Sequence, residues 1–187
     1  MKDKLKKEFH YFVLTDYEIE EEYLRKMHKN GYKFVKVTLP GIYYFEKSEP
    51  EDVVYKLDFN PNAEKQDFIQ MYKDYGWEYL QDLNDYSYFR KKVTEAESEK
   101  ELEIFSDEES KLDMLQRIFR NRMLPIAAIF FLCIFPQIMR IIEDGIWAEW
   151  GIVLLVLEGL LMLLYFYIIG RCLFGFYSLS KKYKKQQ

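Results

Sequence analysis

Very few side chains in this sequence are of a type that could do chemistry. The 187 residues hold only two histidines and two cysteines. His10 and His28 lie far apart, and neither falls in a metal-ligand or triad-like pattern, so both read as structural or surface residues. Cys133 and Cys172 each sit inside an apolar run without disulfide or metal spacing, and read as membrane-buried thiols. The acidic run Glu18 to Glu22 opens a predicted helix, where negative charge complements the dipole, and reads as a solvated first turn. No phosphate loop, nucleophile elbow or zincin pattern occurs. The expectation is a protein that is not an enzyme, with no catalytic residues, no metal and no cofactor.

The residue whose position asks for an explanation is Glu158. It lies within the apolar stretch 151–176, eight residues past Trp150 and so about 12 Å along a helix axis. A carboxyl at that depth is costly unless it is paired or protonated. On an antiparallel partner helix Gln137 falls at comparable depth and Arg140 nearer the surface. The three are therefore a candidate intramembrane polar contact, either satisfied within the hairpin, turned toward another membrane protein or serving as a proton-linked group.

That placement requires two membrane spans. Residues 123–142 are nearly all apolar and match the ~20 residues a helix needs to cross the hydrocarbon core. Pro125 falls in the first turn and Pro136 within the span, where proline permits a kink. A short acidic loop, 143–150, carries interfacial Trp147 and Trp150 and leads into the second span, 151–176. Lys111, Arg117, Arg120 and Arg122 precede the first span, and Lys181, Lys182, Lys184 and Lys185 follow the second. Only Arg140 flanks the loop, so the positive-inside rule places both termini in the cytoplasm.

The N-terminal part is of a different kind. Residues 1–110 hold 26 Asp and Glu against 17 Lys and Arg, whereas residues 123–176 hold six charged side chains, so the overall mean hydropathy of -0.31 averages two unlike regions. Interleaved acidic charge argues against nucleic acid as a partner. The basic start leads into HYFVL, too short an apolar run for a signal peptide, so export of the N-terminus is not expected.

Shifting the chain on itself by 45 residues lays EEYLRKMHKNG (21–31) over QDFIQMYKDYG (66–76). Both read as helices followed by a glycine C-cap. Aromatic and β-branched hairpins follow each, turning at Leu-Pro-Gly (39–41) and Asn84-Asp85. Upstream, His10 to Leu14 lies over Tyr55 to Phe59. The expected fold is therefore α+β: a tandem strand-helix-strand-strand repeat forming a mainly antiparallel sheet of up to six strands with two helices on one face, with the arrangement of the repeats as one sheet or as two halves facing each other left open. Val53, Tyr55, Leu57 and Phe59 form a core face and Val54, Lys56 and Asp58 a polar one. In the strand 9–14 both faces are apolar. The hairpin aromatics mostly serve as core, and the candidate ligand or partner surface comprises Tyr11, Tyr43, Tyr44, Trp77 and Tyr88.

Between domain and membrane, residues 93–110 are acidic and read as a mobile linker. Ser106 with Glu109 suggests a capping box. Residues 111–122 read as a juxtamembrane amphipathic helix, with Leu112, Leu115, Ile118 and Phe119 on one face at the headgroup level. The expected organisation is a cytoplasmic repeat domain over 1–92, these two segments, the two spans with their outer loop, and a basic cytoplasmic tail over 177–187.

YYFEKSEPEDVVYKLDF (43–59), GWEY (76–79), YSYFRK (86–91) and SDEESKLDMLQRIFR (106–120) together resemble a bacterial family catalogued as domain of unknown function 2812. Glu46, Lys47, Pro50, Asp58 and Gly76-Trp77 are its most recognisable letters. The resemblance implies a multi-pass protein of the bacterial cell membrane, without an assigned activity or catalytic residues. At the level of fold alone, the duplicated module is similar to gyrase-inhibitor-like ligand-binding domains, which implies a groove between halves for small hydrophobic cations. The expected function is a membrane-anchored binding or sensor module with a regulatory role, whose soluble domain recognises a small molecule or a protein. The alternative is an accessory subunit of a membrane complex or transporter, associating through the hairpin.

Overall fold

The computed structural model describes residues 5–61, 64–105, 107–144 and 151–186. Ser106 and the loop tryptophans Trp147 and Trp150 lie outside the described residues. The two repeats build two three-stranded antiparallel sheets. The first has order β1-β3-β2, from β1 (Lys6–Phe9), β2 (Tyr32–Thr38) and β3 (Ile42–Lys47). The second has order β4-β6-β5, from β4 (Val53–Phe59), β5 (Glu78–Leu83) and β6 (Tyr86–Lys92). Helix α1 (Tyr17–Lys29) precedes β2, and α2 (Lys65–Asp74) precedes β5.

The duplication extends to backbone detail. Gly31 and Gly76 both take φ +80 after their helices, a left-handed position that glycine occupies without strain. At Gly31 a Cβ would also stand 2.9 Å from the Ser48 carbonyl oxygen. The strand that follows each helix carries one bulge, between Phe34 and Lys36 and between Tyr79 and Gln81, again 45 residues apart. One part of the alignment does not hold. Strand β1 pairs Lys6 with Phe45 and Phe9 with Ile42, whereas residues 10–14 are connection rather than strand.

The halves do not merge into one six-stranded sheet. Their edges, β2 and β5, meet through a side chain: the Gln81 amide accepts from Val37 N and donates to Val37 O, both at 3.2 Å, as a peptide of a neighbouring strand would. Arg90 adds a bond from Nη1 to Phe34 O at 3.4 Å. Nor do the helices share a face. Leu24 and Met27 of α1 join Phe34, Phe45, Tyr55, Leu57 and Phe59 in the main core, while Tyr72 of α2 joins Val54, Trp77 and Phe89 in a second cluster. Strand β4 is consequently covered on both faces, and the expected polar face is largely enclosed, with Val54 and Asp58 buried.

The segment after β6 is docked on the domain. Leu102 and Ile104 pack on the second cluster, and Glu103 accepts from Lys56 at 2.9 Å. Asp107 caps α3 (Glu108–Ile118) by accepting from Ser110 N. Met114, Leu115 and Ile118 of α3 are fully buried in the main core, so the face expected at the lipid headgroups is occupied by protein. From α3 the helical path continues through α4 (Leu124–Ile129) and α5 (Phe135–Asp144), joined by π-helical turns at Phe119–Met123 and Phe130–Ile134. Each wide turn lies just before a proline, Pro125 or Pro136, where widening removes the clash between the ring and the carbonyl one turn earlier. Helix α6 (Gly151–Gln186) returns antiparallel, and its end is no free tail: Leu179 and Tyr183 lie in the main core. Two helices, over Glu108–Arg140 and Leu155–Lys185, are long and apolar enough to cross a membrane.

Candidate functional site

Helix α1 carries the first element of the site. Glu20, Leu24 and Met27 recur at helical spacing and all are buried, so a carboxylate sits within an apolar stripe. Tyr43 of β3 and Tyr88 of β6, one from each repeat, donate their hydroxyls to the same oxygen, Glu20 Oε1, at 2.6 and 2.7 Å. Among the described residues no cation pairs with this carboxylate. Burial pushes the Glu20 carboxyl above the usual range, and the two tyrosine bonds only partly offset it. The same burial raises both phenols, so they stay protonated donors.

This group faces a cleft of about 110 Å³ between the halves, lined by Tyr11, Phe12, Val37, Tyr43 and Tyr88 among others. His10 stands at its rim, 4.3 Å from the Tyr23 ring centroid. Tyr11, 62% exposed, lies at the mouth. The arrangement offers negative charge at the base of an aromatic wall, which suits a cation with an apolar body.

Two of the larger grooves are chemically different. One of about 760 Å³, along α1, contains Glu21, Lys56 and Glu103. Lys56 lies 3.3 Å from Glu21 and 2.9 Å from Glu103, and Glu21 also accepts from Leu57 N at 2.8 Å. Arg25 and Lys29 there share Asp52, whose carboxyl the Arg25 guanidinium holds down to about 2. The other, about 990 Å³ beside α2, is lined by Lys91 with Glu101 and Lys111 with Glu108, each paired. In both grooves these carboxylates have cationic neighbours, whereas among the described residues Glu20 is left without a counter-ion.

The domain from α1 through the start of the first long helix is also the part with known relatives. A family described as "Protein of unknown function (DUF2812)" matches residues 16–129, more than half of the chain. The chain belongs to this family. The DUF2812 match includes Glu20, Tyr43 and Tyr88 and stops before the second apolar helix. No curated protein and no solved structure matches the chain.

Of the aromatic residues singled out from sequence, the structure brings Tyr11, Tyr43 and Tyr88 to one cleft. Tyr44 points to the other side of β3, with Lys7 and Lys36 over its ring at 5.3 and 5.1 Å. Trp77 is buried in the second cluster. Sequence reasoning missed Glu20 by assigning 18–22 to a solvated turn. In the fold Glu20 and Glu21 are buried, and Glu18 accepts from Lys182 at 2.8 Å and from Tyr183 at 2.7 Å. The available signal was the spacing of Glu20 to Leu24 and Met27. His28 is buried with Nδ1 2.8 Å from the Tyr55 hydroxyl, and burial lowers its pKa.

In the helical hairpin, Phe130 packs on Tyr165 and Phe166, which puts Gln137 and Glu158 level, each one heptad away from that contact. Gln137 is nevertheless exposed, and Glu158 Oε2 is enclosed without a hydrogen-bond partner among the described residues. Arg140 is likewise exposed.

Proposed function

We propose that this chain is a membrane-anchored binding module whose N-terminal domain takes up a small cation with an aromatic or apolar body in the cleft at Glu20, as part of a sensing or regulatory system. The observation that carries the reading is a buried carboxylate held by two tyrosines from different repeats and, among the described residues, lacking a cation. A buried unpaired charge costs stability unless something compensates it, and a ligand cation supplies that compensation. Because Tyr43 and Tyr88 belong to separate repeats, occupancy would also tie the halves together, which gives the domain a means of reporting the ligand.

The anchor is a two-helix hairpin in a bacterial cell membrane, with both termini cytoplasmic. In support, only 17% and 6% of the most apolar windows of the two helices are buried, as suits helices whose surroundings are lipid. The lysine and arginine residues cluster at the ends away from the loop.

The test is titration calorimetry of the full-length chain in detergent with benzyltrimethylammonium and, as an uncharged comparison, benzyl alcohol. The cation binds and the alcohol does not, and Glu20→Gln weakens cation binding at least about tenfold. The same variant melts higher, by on the order of 1 kcal/mol, because the amide keeps an acceptor for both tyrosines without the buried charge. Equal binding of both compounds, or cation binding unchanged in Glu20→Gln, would sink the reading.

A second reading rests on Glu158, whose enclosed Oε2 lacks a partner among the described residues. It makes the chain an accessory subunit that offers this carboxyl to another membrane protein. A partner that co-purifies with the native chain from membranes and is lost with Glu158→Leu would favour it.

A further inference from the structure

The end of the domain nearest the long helices is fixed by independent contacts. Arg122, immediately before the first apolar helix, pairs with Asp85 at the tip of the β5–β6 hairpin. Arg171 of α6 pairs with Asp16 at 3.0 Å, and a Cβ on Gly175 would collide with Thr15, so the connection ahead of α1 lies against α6. The strand β2 runs beside β5 and in the same direction, because Phe34 lies near Arg90, the β6 partner of Glu78, and Val37 lies near Gln81. The β2–β3 turn at Leu39 to Gly41 therefore points the same way as Asp85. His10 N donates to Gly41 O at 3.0 Å, which brings the end of β1 to that turn as well.

This end carries an apolar surface that the domain itself does not cover. Phe9 is 65% exposed, Tyr11 62% and Leu39 65%. They sit at the level where the surfaces of both long helices become apolar and exposed, from Leu124 on one and up to Phe174 and Tyr177 on the other. We infer that Phe9, Tyr11 and Leu39 form a membrane-apposed surface that rests in the headgroup and upper acyl region of the bilayer the chain spans. The inference relies on the membrane reading above and adds a lipid-contacting role for the domain's own loops. Large apolar side chains at turn tips are costly in water and favourable at an interface, and this patch is continuous in height with the lipid-facing helices. Tyrosine suits that depth because its ring is apolar and its hydroxyl remains wet. The cleft at Glu20 opens beside Tyr11 and Leu39, so its mouth would meet the membrane surface.

Spin labels on the full-length chain in nanodiscs of phosphatidylcholine and phosphatidylglycerol test this, with Cys133 and Cys172 replaced by alanine. Labels are placed at Leu39→Cys, Tyr11→Cys, Phe131→Cys within the first span, and Tyr75→Cys, which is as exposed as Leu39 but lies at the far end of the domain. Relaxation by oxygen against a water-soluble nickel chelate reports depth. Positions 39 and 11 are expected to be protected from nickel and accessible to oxygen, as position 131 is, with position 75 freely relaxed by nickel. Nickel access at 39 and 11 with 131 protected overturns the inference and leaves the membrane reading standing. Nickel access at 131 as well removes both.

Discussion

Adjacent residues on α1 meet opposite environments. Glu20 turns to the tyrosines of the inter-repeat cleft, while Glu21 turns to the edge of β4, where it accepts from Leu57 N and faces Lys56 and Glu103. Burial drives the Glu21 carboxyl from 4.5 up to about 7, against the pull of Lys56. Lys56 stays charged because its two carboxylate neighbours outweigh its own burial. Between those values the folded chain holds a proton that the unfolded chain has released, so raising pH favours unfolding. The stability contributed by protonated Glu21 is full below about 4.5 and is lost as pH rises through about 7. The melting temperature is expected to fall between about pH 5 and about pH 8, and Glu21→Gln to flatten that slope. An unchanged slope in the variant would show that other groups govern it. At this scale the sequence was partly legible: Tyr43 and Tyr88 stood out by type, but which carboxylate they would meet depended on helix phase, and an acidic run looks the same whether it is solvated or buried.

The repeat was legible at the level of elements because helix periodicity, glycine caps and aromatic hairpins are local signals. What the halves do with one another was not. The seam at β2 and β5 depends on a side-chain amide standing in for a peptide, and Gln81 carries no pattern that announces it. Gln81→Leu leaves Val37 N and O without these partners and is expected to cost about 1–3 kcal/mol, read as a lower urea midpoint with unchanged slope. A loss below about 0.5 kcal/mol would mean that water replaces the amide at no cost. The docking of Leu102 to Ile104 and of α3 on the domain is not legible in the sequence for a related reason. Charge and amphipathicity show that a segment has an apolar face, and Met114, Leu115 and Ile118 have one, but they do not say whether lipid or protein covers it.

Across the whole molecule, domain and hairpin are one folded body rather than a domain on a leash. Met114, Leu115 and Ile118 of α3 and Leu179 and Tyr183 of α6 complete the main core, with the Tyr183 hydroxyl 2.6 Å from that of Tyr17. A chain ended at Lys92 therefore uncovers the surface these residues bury. It is expected to bind a hydrophobic dye and to aggregate, whereas the full chain in detergent unfolds cooperatively; a monodisperse, cooperatively melting 1–92 fragment would show that the core closes without them. The sequence by itself determined the α+β repeat, the antiparallel pairing and the helical hairpin, because these follow from periodicity, turn residues and runs of apolar side chains close together in the chain; the family came from the resemblance of particular residue phrases. Only the tertiary structure decided that the repeats form two sheets, that Glu20 meets Tyr43 and Tyr88, and that the C-terminal helix returns to the core. Those contacts join residues 23 to 166 positions apart, and nothing in the local pattern at either end specifies its partner.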